Sequence, residues 1–352
     1  MKRIFRQARC LGILAFIFSF FIFVGNPSAE EAMTDEYVLK VPLGLDKDFL
    51  VIPEDNPMTQ EKIELGRALY FDTRLSESNT IACATCHMPK LAFTDGHPVS
   101  MGIGTLKGGR SAPTVINRVF SKAQFWDGRV PSLEEQAKGP ITNPIEMGMP
   151  SHIMVVQKLN KNEGYRKWFR KVFGTDVTLD GIAKAISAFE RTILSGNSPV
   201  DRYNYLGDEK ALSASAIRGM KLFKEKGNCT MCHAGFNFTD EEFHNIGIGW
   251  DGSKLDLGLY AVTKKPEDMG KFKTPTIREI SNTGPYMHDG RFAALRQVVD
   301  FYDQGGIANP FLDSQIKKLN LTNQEKDDIV AFLRSLSGEG WQHITPPDSF
   351  PE

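Results

Sequence analysis

The sequence predicts a mostly α-helical protein of two similar halves joined and wrapped by long loops, and three observations predict it. The pattern Cys-x-x-Cys-His occurs twice, as Cys83-Ala84-Thr85-Cys86-His87 and Cys229-Thr230-Met231-Cys232-His233. An amphipathic segment precedes each occurrence, so the halves form a weak internal repeat. Residues 95–130 and 236–290 are rich in glycine and proline and show no sustained hydrophobic period. Loops of that length are rare in a compact domain unless they wrap a cofactor.

Taken in order, residues 1–29 have the tripartite pattern of a secretory signal. Lys2, Arg3, Arg6 and Arg9 precede an apolar run from Leu11 to Val24, and Ser28-Ala29 supplies small residues at the end. The run is shorter than the roughly 20 apolar residues of a spanning helix, so export and cleavage after Ala29 are expected over an uncleaved anchor. Removal leaves 38 Lys+Arg against 43 Asp+Glu, a net charge of about −5. No basic block or arginine stripe remains, which excludes a nucleic-acid footprint.

The first amphipathic segment has Thr59 as its N-cap and carries Ile63, Leu69 and Tyr70 toward the first motif. A short helix starts at Ser132. Residues 179–194 place Ile182, Ile186, Phe189 and Ile193 on one helical face. The stretch from about 200 to 212 mixes turn residues and charge and reads as the boundary between halves. Ser213 caps the second segment, with Ile217, Met220 and Phe223 leading to the second motif. Leu295, Val298, Val299 and Tyr302 form one stripe ended by Gly305-Gly306, and Thr322-x-x-Glu325 is a capping box opening a helix over 323–336. The expected domains are 48–205 and 206–338, followed by a tail over 339–352.

With Cys10 inside the signal, four cysteines remain, and both motifs use theirs in pairs. Two disulfides are the bland alternative in an exported chain. A redox Cys-x-x-Cys needs no trailing histidine, and a zinc site would draw the two motifs together. Covalent c-type haem explains every member. The thiols of Cys83 and Cys86, or Cys229 and Cys232, add to the vinyl groups, and His87 or His233 lies under the iron as axial ligand. The expected fold is therefore two cytochrome c-like haem domains with long loops.

Function then turns on what sits opposite each iron. An electron-transfer cytochrome fills both axial positions, whereas a haem that meets peroxide leaves one open. The remaining histidines are His97, His152, His244, His288 and His343.

The segments "QFWDGR" (124–129), "LEEQAKGPITNPIEMGMP" (133–150), "FHNIG" (243–247), "FKTPTIRE" (272–279) and "GPYMHDGRF" (284–292) resemble the signature segments of the bacterial di-haem cytochrome c peroxidases and their relative MauG. With both haem motifs in register the similarity spans about residues 55–338. The resemblance implies that the His87 haem meets peroxide and the His233 haem relays or stores electrons. It assigns Gln136 and Glu146 to the distal pocket, with Pro140 packing the same cavity. A half-buried carboxylate at Glu146 can take and return the peroxide proton near neutral pH; without the resemblance, Glu146 and Gln136 read as solvated polar residues. Trp126 matches a tryptophan between the haems, and by sequence alone is a core aromatic.

Two departures from the family pattern bear on the reading. Members that need prior reduction carry a capping histidine sixteen residues beyond the first haem histidine, where this chain has Ile103, so the first iron should stand open when oxidised. Fourteen residues past His288, where typical peroxidases supply a methionine and MauG a tyrosine, stands Tyr302. A tyrosinate is a hard anionic ligand favouring a low-potential haem; a buried, hydrogen-bonded tyrosine is the plain alternative. The family also binds calcium through an asparagine and two carbonyls. Thr283 and Pro285 match the carbonyls, but Ser111 replaces the asparagine and is a weaker ligand. His244 and His288 resemble residues near the second haem. His97, His152 and His343 have surface or core roles.

The resemblance implies a periplasmic oxidoreductase that reduces hydrogen peroxide with electrons from a small redox protein, a cytochrome c or cupredoxin. In its MauG-like form the enzyme oxidises side chains of a partner protein. Dimers are common in the family. The rival readings are a non-enzymatic di-haem electron-transfer cytochrome, which Ile103 speaks against, and a slow peroxide sensor.

Overall fold

Each half is organised around a pair of helices that cross at a glycine. The computed structural model describes residues 36–352, so the expected signal and Cys10 lie outside the described residues. Helix α1 (Gln60–Phe71) opens at Thr59, whose side chain accepts from the Lys62 amide. It feeds the first motif, where Cys83–Cys86 forms the single turn α2. The next elements are α3 (Leu133–Thr142), α4 (His152–Asn160), α5 (Glu163–Phe173) and α6 (Leu179–Glu190). Then come α7 (Pro199–Leu206) and α8 (Ala214–Lys224), which leads to the second motif. The one-turn α9 (Tyr260–Thr263), α10 (Leu295–Asp303) and α11 (Asn323–Arg334) complete the helices. Strands β1 (Phe243–His244) and β2 (Phe272–Lys273) pair antiparallel, with Phe243 opposite Lys273.

The helix α1 packs on α6, and α8 packs on α11. One core gathers Leu65, Leu69, Tyr70, Phe93, Ile182 and Phe189 among others, and a second gathers Phe223, Leu295, Val299, Ile329 and Phe332. The expected caps at Thr59, Ser132 and Ser213 each accept from an amide of the first turn, and Thr322 and Glu325 form a reciprocal box. The boundary stretch departs from expectation. Ser198 and Asp201 form a capping box around Pro199 at the first helical position, so 199–206 is helix and only the residues after it are irregular.

Residues 339–352 fold back onto the first half. Trp341 is 7 % exposed and joins the first core. Among the described residues no helix is long and apolar enough to cross a membrane.

Candidate active site

No disulfide joins the four described cysteines, so the two-disulfide reading finds no support. The two motifs present the same local geometry. The amides of His87 and His233 bond back to the carbonyls of Cys83 and Cys229, at 3.0 and 2.8 Å. The ring Nδ1 of His87 lies 3.2 Å from the Phe93 carbonyl, and that of His233 lies 3.1 Å from the Phe238 carbonyl. A carbonyl can only accept, so each Nδ1 carries the proton and each Nε2 keeps a lone pair for a metal. Burial lowers the pKa of both imidazoles and holds them neutral.

Each histidine opens onto its own cavity. His87 and Cys86 share theirs with Gln136, Pro140, Glu146 and Trp126, so the structure brings the sequence-predicted residues of the first site together. No further histidine, methionine, tyrosine or cysteine lines that cavity among the described residues. Pro140 sits in the last turn of α3, where its missing N–H frees the Gln136 carbonyl and ends the helix. The turn that follows carries Glu146: its amide bonds to the Asn143 carbonyl at 3.1 Å, and Asn143 Nδ2 donates to Oε1 at 2.7 Å. Burial raises the Glu146 pKa above its ordinary value, and Arg129 opposes the shift.

Ile103 does not line the cavity. Its amide donates to the Glu146 carbonyl at 2.8 Å, and its side chain packs toward Gly148, so the 100–110 loop is pinned to the carboxylate-bearing turn.

The second cavity brings together Cys229, Cys232, His233 and Tyr302, with the whole Leu295, Val298, Val299 and Tyr302 stripe facing it. Burial raises the Tyr302 pKa, with the two cysteines adding to the effect, and no hydrogen bond contributes. Among the described residues the Tyr302 hydroxyl has no side-chain or backbone hydrogen-bond partner, and it faces the cavity. His244 lies between Asp240 and Asp313 at 3.0 and 2.6 Å, and His288 stacks on Phe272 at 3.6 Å. Both line the second cavity. His97 and His343 are exposed, and His152 bonds to the Lys138 carbonyl at 2.9 Å.

The donor sets fit haem. No carboxylate lines the second cavity among the described residues, while Arg118, Lys273 and Lys317 do, an arrangement suited to a dianionic, largely apolar group. Ser111, Thr283 and Pro285 also line it. The Ser111 hydroxyl and the Thr283 and Pro285 carbonyls carry no charge, so without a carboxylate beside them they would make a weak calcium site.

Sequence reasoning missed most of the charged residues at these cavities, three of them central. Arg118 and Lys273 line both, and Glu190 lines the first, buried, with its pKa raised to about 8 by desolvation. The one available signal was a carboxylate directly after the apolar face of α6.

A family model described as di-haem cytochrome c peroxidase matches residues 60–210, and a cytochrome c model matches 216–337. The chain is 42 % identical over 289 residues to the methylamine utilization protein MauG of Methylorubrum extorquens, covering 82 % of this chain and 81 % of that one. It is 39 % identical over 305 residues to the cytochrome c551 peroxidase of Pseudomonas aeruginosa, covering 83 % and 84 %. Among solved structures, a MauG-like protein associated with microbial copper homeostasis superposes with a TM-score of 0.80 at 33 % identity, covering 87 % of this chain and 97 % of that one.

Proposed function

The chain belongs to the di-haem cytochrome c peroxidase family and carries two c-type haems, and from that premise we propose that it reduces hydrogen peroxide at the His87 site and relays electrons through the His233 site. Residues 48–205 form the peroxidatic domain and 206–338 the relay domain. The protein acts in the periplasm after export by residues 1–29. When bound, each haem supplies an iron that exchanges electrons with peroxide or with its partner haem.

The observation that carries this reading is the lining of the first cavity: among the described residues His87 is its one imidazole, and no second histidine, no methionine and no tyrosine faces it. An electron-transfer cytochrome has no use for such an opening. Glu146 accepts the proton of incoming peroxide and returns it to the departing oxygen. Gln136 offers an amide to orient the peroxide, and Pro140 keeps the pocket narrow. Trp126 lines both cavities and stands in the path between them.

Tyr302 in the second cavity favours the MauG-like variant, in which a partner protein's side chains are oxidised, over simple turnover with a small redox protein. Oxygen ligation disfavours the reduced iron, so the relay site holds oxidising equivalents rather than drawing electrons from high-potential donors.

The decisive experiment mixes the fully oxidised two-haem protein with one equivalent of hydrogen peroxide and follows the haem absorbance on the millisecond scale. A rapid change without prior reduction is expected. A change seen only after reduction means that the first iron is closed by a ligand, and sinks the proposal of an open site.

A further inference from the structure

The two cavities share a wall whose only charged side chains among the described residues are Arg118 and Lys273. Both are cations short of anionic partners. Arg118 donates only to neutral acceptors, through Nε and Nη2 to Gln124 Oε1 at 3.1 and 2.5 Å and through Nη2 to the Ala123 carbonyl at 3.0 Å. Lys273 is 5 % exposed. Its one carboxylate is Glu241 Oε1 at 3.3 Å, an oxygen that also accepts from Ser121 Oγ at 3.0 Å. Buried cations are paired or they are costly; Glu241 meets Lys273 through an oxygen it shares with Ser121, and Glu241 and Glu190 act on Arg118 without a direct bond, so the wall has room for further negative charge.

The same two residues also fix the wall's tryptophan. The Lys273 amide donates to the Trp126 carbonyl at 2.9 Å. Arg118 grips Ala123 and Gln124, three and two residues before Trp126. Each haem brings two carboxylates on the edge away from its vinyl groups, and the vinyl edges are fixed to the cysteines.

We propose that Arg118 and Lys273 form one shared anion site that receives a carboxylate from each haem, so that a single cation pair sets the reduction potentials of both haems together. The inference rests on the two-haem reading of the cavities. Burial, with the neighbouring Arg118 guanidinium, lowers the Lys273 pKa to about 8, an effect that Glu241 and Asp240 oppose without offsetting it. Adding an electron to a haem makes it more negative, so a nearby cation favours the reduced form, and its removal favours the oxidised form. A pair in contact with both haems shifts both equilibria in the same direction.

The test is spectroelectrochemical titration of the holoprotein carrying Lys273→Met or Arg118→Gln, with two haems per chain first verified by the alkaline pyridine spectrum. That spectrum separates failure of the two-haem reading from failure of the shared site. Each substitution should lower the reduction equilibrium constant of both haems by about tenfold, equivalent to about 59 mV for a one-electron couple. The charge-preserving Lys273→Arg and Arg118→Lys should hold both potentials near the parent's. A shift confined to one haem, or equal shifts in the neutral and charge-preserving variants, overturns the shared site. Should Lys273→Met incorporate haem poorly, the Arg118 pair decides by the same criteria.

Discussion

Glu146 shows how a single side chain's environment fixes its chemistry. Its carboxyl is half-buried, holds one neutral hydrogen-bond donor in Asn143, and has a pKa raised by desolvation. The ionised form is the base, so the rate of reaction with peroxide should climb as pH rises through a midpoint above the ordinary carboxylate range. Glu146→Gln cannot ionise; it should react about 10²-fold more slowly and lose that pH step, both read by stopped-flow absorbance from pH 5 to 9. A slow variant that kept the step would transfer the proton to another group. At Tyr302 the ring reaches the second cavity without a hydrogen bond. Exchange for methionine should raise the potential of that haem and change its spectrum, and an unaltered spectrum would return Tyr302 to the core. These residues were legible because motif spacing and the family resemblance locate them. Glu190 and Lys273 were not: their importance comes from facing cavities that exist only once distant segments have packed.

At the scale of elements, the two halves repeat one device. Gly66 of α1 and Gly219 of α8 occupy matching places before their motifs, and each is where a partner helix presses against the backbone. A Cβ on Gly66 would lie 1.8 Å from the Ala185 carbonyl oxygen, and one on Gly219 would lie 1.8 Å from that of Asp328. The obstructing atoms are backbone, so no side chain can swing aside. Gly66→Ala and Gly219→Ala should each destabilise the chain by roughly 3 kcal/mol, the upper end for overpacking, although alanine is the better helix former. Denaturant titration of the holoprotein reads this directly, and a neutral or stabilising result would mean that the crossings are looser than drawn. The repeat itself could be read from the sequence, as could the caps at Thr59, Ser132, Ser213 and Thr322, because a cap is a bond between neighbours in the chain. Which helix meets each glycine could not, since α6 and α11 follow their partners by more than a hundred residues. The helix at 199–206 was hidden by its turn-forming composition, although Ser198, Pro199 and Asp201 together spell a helix start.

Across the whole molecule, the chain's last described residues support its first haem site. Trp341 packs edge-on to Phe93 with ring centroids 6.4 Å apart, and the Phe93 carbonyl is the group that orients His87. Arg67 of α1 donates to the carbonyls of Thr345 and Pro346 at 2.9 and 3.1 Å, and Asn162 donates to that of Pro351 at 2.9 Å. The Glu352 carbonyl accepts from the Gly164 amide at 2.7 Å. The expected tail over 339–352 thus behaves as a brace for the first half rather than an extension of the second. Trp341→Ala opens a cavity beside Phe93 and should cost about 3–5 kcal/mol. The spectral consequence should be selective: the His87 haem loses a fixed Nδ1 partner and alters its spin-state signature, while the His233 haem, oriented by Phe238 in the second core, keeps its own. Low-temperature electron paramagnetic resonance of the oxidised variant resolves the two irons. A change confined to the His87 signal supports the brace, whereas equal disturbance of both signals, or of the His233 signal alone, would show that the tail steadies the molecule without privileging the peroxide site.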